Sequence, residues 1–364
     1  MHKKTFQYRI YPTKAQETLL ERSLGACRWV YNKVLESRKT AWEGEQVSLS
    51  LYDTINMLPG WKAEHDFLKT AHSQTLQNVC VRVDLAMKAF FRRCKAGDTP
   101  GFPRFRGRFR YDSFTFPGSG FKLTDDGKLD MSKIGRVKIV LHRHVEGSAK
   151  TLTVKRTSTG KWFASFACEV EATPLPANPK VIGVDMGLTK FATLSTGEAI
   201  ENPRFFKQAE KALAKVQRRF SQEDKGTPER RFRRKAVALT HEKTANKRKD
   251  FAHKLSHRLV RDFGTLCFED LNITKMVDGY LAKGIHDAAW NQLIQFTTNK
   301  AESAGRSFAL VNPAYTSQTC HRCLQRGNRK GESFKCHCGY SGNADHNAAI
   351  NILRLGLESF APGA

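Results

Sequence analysis

Four cysteines near the end of the chain constrain its fold more than any other feature. Cys320 and Cys323 are separated by two residues, and after twelve further residues come Cys336 and Cys338, separated by one. Four thiolates at this spacing can close a tetrahedron around Zn²⁺, and a closed four-cysteine site leaves no open position for a substrate. We therefore predict one structural zinc ion bound by these four cysteines.

The second cysteine pair leaves the ligand set open. Its C-x-C spacing is tighter than the more common C-x2-C, which makes Cys336 the irregular ligand. His321 and His337 lie within the cluster and could substitute for it. Four unrelated thiols in a loop are the alternative, but paired cysteines on both sides of a polar loop are rare in cytosolic proteins without a metal.

The other five cysteines stand at scattered apolar positions, as reduced core residues do. Together with a metal-type cluster, they suit a reducing compartment. No apolar run approaches the roughly 20 residues that a membrane helix needs, and the first residues lack the apolar stretch of a secretory signal. We therefore expect a cytoplasmic protein with no membrane partner. The five residues are Cys27, Cys80, Cys94, Cys168 and Cys267.

A net charge of +26 predicts a polyanionic partner. Residues 101–111 alternate aromatic residues with arginines, and residues 218–249 carry charge of almost one sign at helical spacing. Arginine binds phosphate and aromatic faces stack on bases, so we interpret both segments as nucleic-acid-binding. The competing interpretations are an exposed strand with Phe105 and Phe109 packed inward, and a solvated helix face. The candidate contacts are Arg104, Arg106, Arg108, Arg110, Arg218, Arg219, Arg230, Arg231, Arg233, Arg234, Lys247, Arg248 and Lys249.

The first half of the chain shows a helical pattern and then a strand pattern. Residues 5–12 alternate like a β-strand, and Thr13 with Gln16 forms a capping-box pattern after it. Apolar spacing predicts one helix after Thr13 and a second from about Ser73 to Gly97. From 112 to 172, four alternating stretches predict a small antiparallel barrel or sandwich, which the first strand could join. The apolar stripes are Leu20, Leu24, Cys27, Tyr31 and Val34 in the first helix, and Leu76, Cys80, Val83, Met87 and Phe90 in the second.

The second half follows a proline-rich linker at 173–179 and has an α/β pattern. A strand hairpin and a short third strand precede long basic helices, and then strands and helices alternate to the end. This order predicts a sheet that is at least partly parallel. The segments are strands at 180–185, 189–195, 198–202, 264–271 and 307–313, and helices at 205–262, 287–305 and 346–355.

Three acidic residues lie where such a sheet would gather them. Asp185 and Glu269 end apolar strands, and Asp345 begins the last helix. Singly, each has an ordinary explanation: a turn residue, a strand-end charge and a helix N-cap. At one edge of a parallel-type sheet they would repel one another unless cations neutralised them. Such a cluster would hold two Mg²⁺ ions about 4 Å apart for in-line phosphodiester hydrolysis, with Asp185 as the bridging ligand.

The chain resembles the TnpB (OrfB) family of insertion-sequence proteins, the compact relatives of type V CRISPR nucleases. The resemblance covers nearly the whole length and rests on YRIYPTKAQ, GACRWVYN, GFPRFRGR, IGVDMGLTKFATLS, HEKTANKRKDFAHKLSHRLV, FEDLNITKM, YTSQTCHRC and CGYSGNADHNAAINI. By motif, the catalytic acids of the family fall on Asp185, Glu269 and Asp345. One departure concerns the cluster, because the family usually has a cysteine where Lys335 stands and this chain has it one position later.

The resemblance implies an α+β multidomain fold. A wedge-type β-barrel would comprise residues 1–12 and 98–176, and a helical recognition domain residues 13–97. Residues 177–364 would form an RNase-H-like RuvC nuclease domain, with a zinc ribbon inserted at 315–342.

The resemblance also implies an activity and partners. The activity would be Mg²⁺-dependent, RNA-guided cleavage of double-stranded DNA beside a short transposon-adjacent motif, with a guide RNA derived from the transposon end. Gln74, Gln77 and Asn78 on the second helix are candidate readers of that motif, because amide side chains suit adenine edges.

Two other functions compete with this one. A nuclease-silent, RNA-guided regulator would be signalled by loss of a catalytic acid, and all three are present. A transposase of the HUH type needs a His-hydrophobe-His triplet, and the nearest pattern is HRH at 142–144, in a predicted barrel strand. The residues alone do not exclude a strand-transfer enzyme with a carboxylate triad.

Overall fold

The computed structural model describes residues 2–172, 174–272 and 282–360. The chain divides into two compact units, Met1–Glu171 and Ala172–Ala364. Residue 173 of the predicted linker, the part of FEDLNITKM after residue 272 and the last four residues lie outside the described residues.

Helices of the first unit follow the predicted apolar stripes. The capping box of Thr13 and Gln16 begins α1, and Ser73 begins α4. Every residue of the first stripe is buried, and so are Leu76, Cys80 and Val83 of the second, which confirms both helices. Cys94 is exposed, so its assignment to the core is wrong, because it lies in the last turn of α4, beyond the buried part of that helix. The helices are α1 (Lys14–Glu45), α2 (Leu51–Asn56), α3 (Leu58–Glu64) and α4 (Ser73–Lys95), with a 3₁₀ turn at Asp66–Thr70.

The strands of the first unit form one seven-stranded antiparallel sheet, in the order β2-β6-β7-β1-β5-β4-β3. The first strand joins it between β7 and β5, as predicted. Phe116 on one edge strand and Phe121 on the other have ring centroids 6.4 Å apart, so the sheet is a nearly closed barrel. The HRH triplet follows β5 in a loop and is not part of a strand. The strands are β1 (His2–Tyr11), β2 (Ser113–Pro117), β3 (Phe121–Leu123), β4 (Lys128–Met131), β5 (Gly135–Val140), β6 (Ser148–Arg156) and β7 (Trp162–Val170).

The second unit is built on a five-stranded sheet in the order β10-β9-β8-β11-β12. The strands β8, β11 and β12 run parallel, and β9 and β10 are antiparallel additions, which confirms the partly parallel sheet. Val184 of β8 pairs with Phe268 of β11, and the next residue on each strand is an acid, Asp185 or Glu269. The strands are β8 (Val181–Met186), β9 (Lys190–Leu194), β10 (Ala199–Glu201), β11 (Thr265–Glu269) and β12 (Ser307–Val311).

Five helices of the second unit are described. The helix predicted at 287–305 is divided at Ala289, whose φ of 54° is left-handed and ends one helix before the next begins. The helices are α5 (Phe205–Ser221), α6 (Pro228–Asp262), α7 (Ala282–Ala288), α8 (Trp290–Ala304) and α9 (Ala344–Glu358). In the residues that the structure describes, no helix is both long and apolar enough to span a membrane.

Helix α9 lies directly against the sheet because two glycines allow it. A Cβ atom on Gly183 of β8 would lie 2.1 Å from the Ala349 carbonyl oxygen, and one on Gly356 of α9 would lie 2.2 Å from Cys267 Sγ. This close approach fixes the position of the helix that carries Asp345.

Substituting Gly183 tests this packing. We expect Gly183→Ala to cost about 3 kcal/mol, because the obstacle is helix backbone and must move as a whole. For a unit of this size that corresponds to a fall in Tm of roughly 6–12 °C by calorimetry. Gly284→Ala is the matched control, since its Cβ would lie 3.5 Å from Leu188 Cδ2, an ordinary contact. Equal Tm values for the two variants would contradict this account of the packing.

Candidate active site and metal centre

Three acids on different elements line one cavity of about 940 Å³ in the second unit. Asp185 comes from β8, Glu269 from the end of β11 and Asp345 from the first turn of α9. Neighbouring parallel strands end at the same edge of a sheet, and the N-terminus of α9 reaches that edge. The structure thus brings together the three acids that the sequence pattern selected.

Burial and mutual repulsion raise the pKa values of two of these acids. Burial, with smaller contributions from the charges of Glu269 and Asp345, raises the pKa of Asp185 to about 8. Burial also raises the pKa of Glu269 to about 7, although a hydrogen bond from Thr316 and the charge of Arg329 oppose the shift. Carboxylates with raised pKa values in a polar cavity form a site that a divalent cation would stabilise, because the cation displaces the protons.

The three acids are more widely spaced than the ligands of a single ion. In the described part of the chain, one group of three or more His, Cys, Asp or Glu ligand atoms has all members within 4.8 Å of one another, and it is the cysteine cluster.

Arg329 is a site residue that the sequence pattern missed. Its Nη2 atom donates to Asp345 Oδ1 at 2.8 Å. Its positive charge partly opposes the rise in the pKa values of Asp185 and Glu269. It lies on β13 (Asn328–Lys330), in a three-stranded sheet with β14 (Ser333–Lys335) and β15 (Ser341–Asn343). No local motif marks Arg329, because it reaches the acids only through the folding of this hairpin.

Thr316 is a second residue missed from the sequence. Its hydroxyl donates to Glu269 Oε1 at 2.9 Å and also to the Pro313 carbonyl oxygen at 3.0 Å. A hydroxyl shared in this way orients the carboxylate of Glu269 toward the cavity. The segment that carries Thr316 is held by the last helix, where Asn351 Nδ2 donates to the carbonyl oxygens of Thr316 and Thr319.

Asp345 is not the N-cap of its helix, so the interpretation of it as a cap is wrong. Asn343 is the cap, and its side-chain oxygen accepts hydrogen bonds from the backbone N–H groups of Asp345 and His346, both at 2.9 Å. Because Asn343 accepts the backbone N–H groups of the first turn, the Asp345 carboxylate is available to the cavity and to Arg329.

The four cysteines form a cluster whose geometry suits zinc. Cys320 Sγ lies 3.7 Å from Cys338 Sγ, and Cys323 Sγ lies 3.4 Å from Cys336 Sγ. A tetrahedron of thiolates at the usual Zn–S distance has edges of roughly 3.8 Å. The cluster could therefore hold a metal ion such as zinc, and the irregular Cys336 lies within it.

The histidines beside the cluster are not part of this group. His321 directs Nδ1 and its backbone N–H at Asn347 Oδ1, each at 3.0 Å, so its ring serves to attach the loop to α9. His337 Nδ1 lies 3.7 Å from Cys336 Sγ, but the ligand atoms that lie within 4.8 Å of one another come from the four cysteines alone.

The long helices of the second unit use part of their predicted nucleic-acid contacts internally. Arg230 donates to the carbonyl oxygens of Phe220 and Glu223, and Arg233 pairs with the Glu223 carboxylate at 3.2 Å, which ties α6 to the end of α5. Arg248 donates to the His286 carbonyl oxygen at 2.6 Å. The exposed candidates in this region are Arg218, Arg219, Arg231, Arg234, Lys247 and Lys249.

The arginine-rich segment of the first unit is an exposed loop, so the alternative of a strand with inward-packed aromatics is wrong. Phe105 is 52% exposed and Phe109 is 66% exposed. Asn32 fixes the middle of the loop, because its side chain exchanges two hydrogen bonds with the backbone of Arg106. The side chains of Arg104, Arg106, Arg108 and Arg110 are all exposed.

The candidate motif readers lie in the first turns of α4. Gln74 Oε1 accepts a hydrogen bond from Ser119 Oγ at 2.6 Å, and Asn78 Oδ1 accepts one from Arg82 Nε at 3.3 Å. Gln77 is exposed. Gln74 and Asn78 thus use their amide oxygens as acceptors, and within the described part of the chain the Gln77 side chain makes no hydrogen bond.

Comparison with known proteins identifies the family. A putative RNA-guided DNA endonuclease of Streptomyces pristinaespiralis is 36% identical to this chain over 376 residues, which cover 99% of the chain and 91% of that protein. The chain belongs to the TnpB (OrfB) family. The putative RNA-guided DNA endonuclease InsQ of Escherichia coli K12 is 31% identical over 98% of the chain and 93% of its own length.

Family models match three parts of this TnpB chain. A model described as "Probable transposase" matches residues 165–279, a "Cas12f1-like, TNB domain" matches 290–352 and a "Helix-turn-helix domain" matches 1–46. In the last of these ranges the structure has β1 and the single long helix α1.

The fold is also that of a solved relative. The protein chain in a cryo-EM structure of a Cas12f1-sgRNA-target DNA complex superposes with a TM-score of 0.61 at 14% identity, over 96% of this chain and 98% of its own. The likeness confirms the expected α+β multidomain fold class.

Proposed function

We propose that this TnpB-family chain is an RNA-guided DNA endonuclease of an insertion sequence. The observation that carries the proposal is the cavity lined by Asp185, Glu269 and Asp345, in a chain whose relatives, matched over 91% and 93% of their lengths, are named putative RNA-guided DNA endonucleases. The partners are a guide RNA from the transposon end and double-stranded target DNA beside a short adjacent motif. The net charge of +26 supports polyanionic partners.

The three acids would hold two Mg²⁺ ions, with Asp185 as the shared ligand. Mg²⁺ held by these acids would supply activation of a water and neutralisation of charge on the leaving oxygen. The chain's own residues prepare the site: the Thr316 hydroxyl orients Glu269, and Arg329 holds Asp345. The Arg329 guanidinium also presents donors to a cavity that has to accept a phosphodiester.

Each part of the chain has a proposed task. Residues 1–12 and 98–176 would form the wedge-type barrel, residues 13–97 the helical recognition domain, and residues 177–364 the nuclease domain with its zinc ribbon at 315–342. Zinc bound by Cys320, Cys323, Cys336 and Cys338 would be structural. The exposed basic residues named above would contact nucleic-acid backbone, and Gln74, Gln77 and Asn78 would read the adjacent motif.

The test is guided cleavage by the purified complex. The RNA that co-purifies with the chain is sequenced, and a plasmid carrying its complement is incubated with the complex at several Mg²⁺ concentrations. We expect double-strand breaks only when guide, target and Mg²⁺ are all present. Target binding without cleavage at any Mg²⁺ concentration would overturn the proposal in favour of a silent regulator.

The raised pKa of Asp185 gives a separate prediction about stability. The group titrates at about 8 when folded and at about 3.8 when unfolded, so the folded state binds the proton more tightly. Its contribution to stability is therefore fully present below pH 4 and is lost as the pH rises toward 8. In Mg²⁺-free buffer, Asp185→Asn should be more stable than the native chain, by a margin that grows from pH 4 to 8 and then levels off.

Thermal unfolding at several pH values checks this prediction. We expect an increase in Tm of several degrees for Asp185→Asn at pH 8, and little difference at pH 4. Adding Mg²⁺ at pH 8 should raise the Tm of the native chain more than that of the variant, because the ion binds the native carboxylates. A Tm difference that is the same at pH 4 and pH 8 would contradict the assigned titration.

A further inference from the structure

Two cavities in the first unit meet on one face of helix α1. One has a volume of about 380 Å³ and the other about 420 Å³, and both are lined by Arg22 and Gly25. Thr18, Arg22, Gly25 and Arg28 follow one another at spacings of three or four residues, so they form a stripe along the helix. The two cavities make a groove that crosses α1 at Gly25.

The smaller cavity is strongly positive. Four arginines and one glutamate line it, which gives a formal charge of +3. Arg156 pairs with Glu21, so these two charges neutralise one another. Within the residues described, the side chains of Arg22, Arg28 and Arg108 make no ion pair or hydrogen bond. Three unpaired guanidinium groups around one cavity repel one another, and an anion between them would remove that repulsion.

Gly25 is an unexpected residue in the middle of a long helix. Glycine destabilises a helix interior relative to alanine, so its presence needs a reason. Packing supplies none, because a Cβ atom at Gly25 would meet nothing within 4 Å. A ligand that passes close to the helix backbone would need a residue without a side chain at this point. Gly25, like Arg22, lines both cavities.

The larger cavity offers an aromatic surface. Phe67 lines it and is 43% exposed. Trp29 and His65 hold the ring of Phe67, each with a ring centroid 5.7 Å from it. A fixed, exposed aromatic ring beside an arginine cluster suits a base or a sugar next to a phosphate.

We propose that a nucleic-acid backbone crosses helix α1 at Gly25, with one phosphate bound by Arg22, Arg28 and Arg108 and the next nucleotide against Phe67. The ligand is a polynucleotide, because a free phosphate would fill only the positive cavity and would leave Phe67 without a role. This inference rests on the proposed function and adds a defined crossing point to it.

The first experiment separates binding from stability. Gly25→Ala and Gly25→Leu are compared with Gly44→Ala, a substitution in the same helix at a glycine whose Cβ would also meet nothing within 4 Å. The probes are a labelled mixed-sequence RNA of about 20 nucleotides and a labelled DNA duplex of about 20 base pairs, roughly the length of the guide-target duplex in RNA-guided nucleases. Anisotropy gives the affinity for each probe, and thermal unfolding gives Tm.

We expect Gly25→Leu to weaken binding of at least one probe about tenfold while Tm stays equal or rises, since the helix gains a better former. Gly44→Ala should raise Tm without changing affinity. A merely structural glycine would give the same affinity in all variants, and that result would overturn the proposal.

The second experiment counts phosphates. Arg22→Gln combined with Arg28→Gln should reduce the slope of log affinity against log salt by about 1, as expected for one lost phosphate contact. Arg136→Gln is the control, because Arg136 is exposed on the barrel and lies outside both cavities. An unchanged slope for both probes would contradict the crossing.

A free-anion site gives a different result. Inorganic pyrophosphate would then raise the Tm of the native chain but not that of the double variant, with unchanged polynucleotide slopes, and the proposal would fail. A loss confined to RNA would assign the crossing to the guide, and a loss confined to DNA would assign it to the target; both support the proposal. If guided cleavage fails but the double variant still shows the expected decrease in the salt slope, the proposed function is overturned and the crossing is supported.

Discussion

Replacing Asp185 with asparagine should reduce guided DNA cleavage by about a thousandfold or more. Asp185 lies on β8 at the centre of the sheet and beside Glu269, so it is the acid best placed to be shared between two ions. Asparagine keeps the size and removes the charge, and the several kcal/mol of electrostatic stabilisation that depend on bound metal are then lost. Each 1.36 kcal/mol corresponds to a tenfold change in rate.

The measurement is the single-turnover rate of target cleavage by the guide-loaded complex, with target binding recorded in parallel. Target affinity should be preserved, because the site residue is not a base or phosphate reader. Asp250→Asn is the control, since Asp250 is an exposed acid of the same unit that pairs with Lys254. A cleavage rate for Asp185→Asn within tenfold of the native rate would show that the carboxylate is not a catalytic ligand.

The second large effect concerns the cysteine cluster. Cys336→Ser should lower bound zinc from about one ion per chain to a small fraction, because the cluster would lose one of four thiolates and structural zinc contributes roughly 10–16 kcal/mol of binding free energy. Cleavage should fall about a hundredfold or more. The reason is positional: β15 runs from the cluster directly into Asn343, the cap that sets the first turn of the helix carrying Asp345.

Elemental analysis after dialysis against a chelator measures the zinc, and the cleavage assay measures the consequence. Cys94→Ser is the matched control, since Cys94 is exposed and lies outside the cluster. Full zinc content in Cys336→Ser would show that another group completes the site. Full cleavage activity without zinc would show that the cluster does not position Asp345.

The elements that the sequence predicts well are those with a periodic apolar pattern. Leu20 and Val34 on α1 belong to an apolar stripe that is buried throughout. Such a stripe can be predicted because the buried face of a helix requires apolar residues spaced three or four positions apart. Asp185 and Glu269 could also be selected, since each lies near the end of an apolar strand of a parallel pair and the ends of such strands must meet.

The sequence fails where a contact depends on a hairpin folding back onto the site. Arg329 lies 16 positions from Asp345 on a short exposed strand, and nothing in its neighbours distinguishes it from the other arginines of the segment. The sequence gives no signal for Thr316 either, because a threonine beside a cysteine pair has many ordinary roles. Their contacts with the acids follow from tertiary geometry alone.

Local choices between equivalent residues are the other failure. Asn343 and Asp345 can both cap a helix, and the structure uses the first, which leaves the second for the cavity. The break at Ala289 is similar, since alanine is a strong helix former and nothing in the sequence marks its left-handed conformation. The spacing of Cys336 looked irregular, yet its sulfur lies 3.4 Å from that of Cys323, because the turn before Gly339 brings it into the cluster.

Retargeting by the guide tests the central claim most directly. The guide segment of the co-purifying RNA is replaced by an unrelated sequence of the same length, and the reconstituted complex is given two plasmids that carry the old and the new target beside the same adjacent motif. We predict that double-strand breaks move entirely to the new target and require Mg²⁺ and an intact Asp185. Cleavage that stays at the old target, or that ignores the guide, would contradict the account.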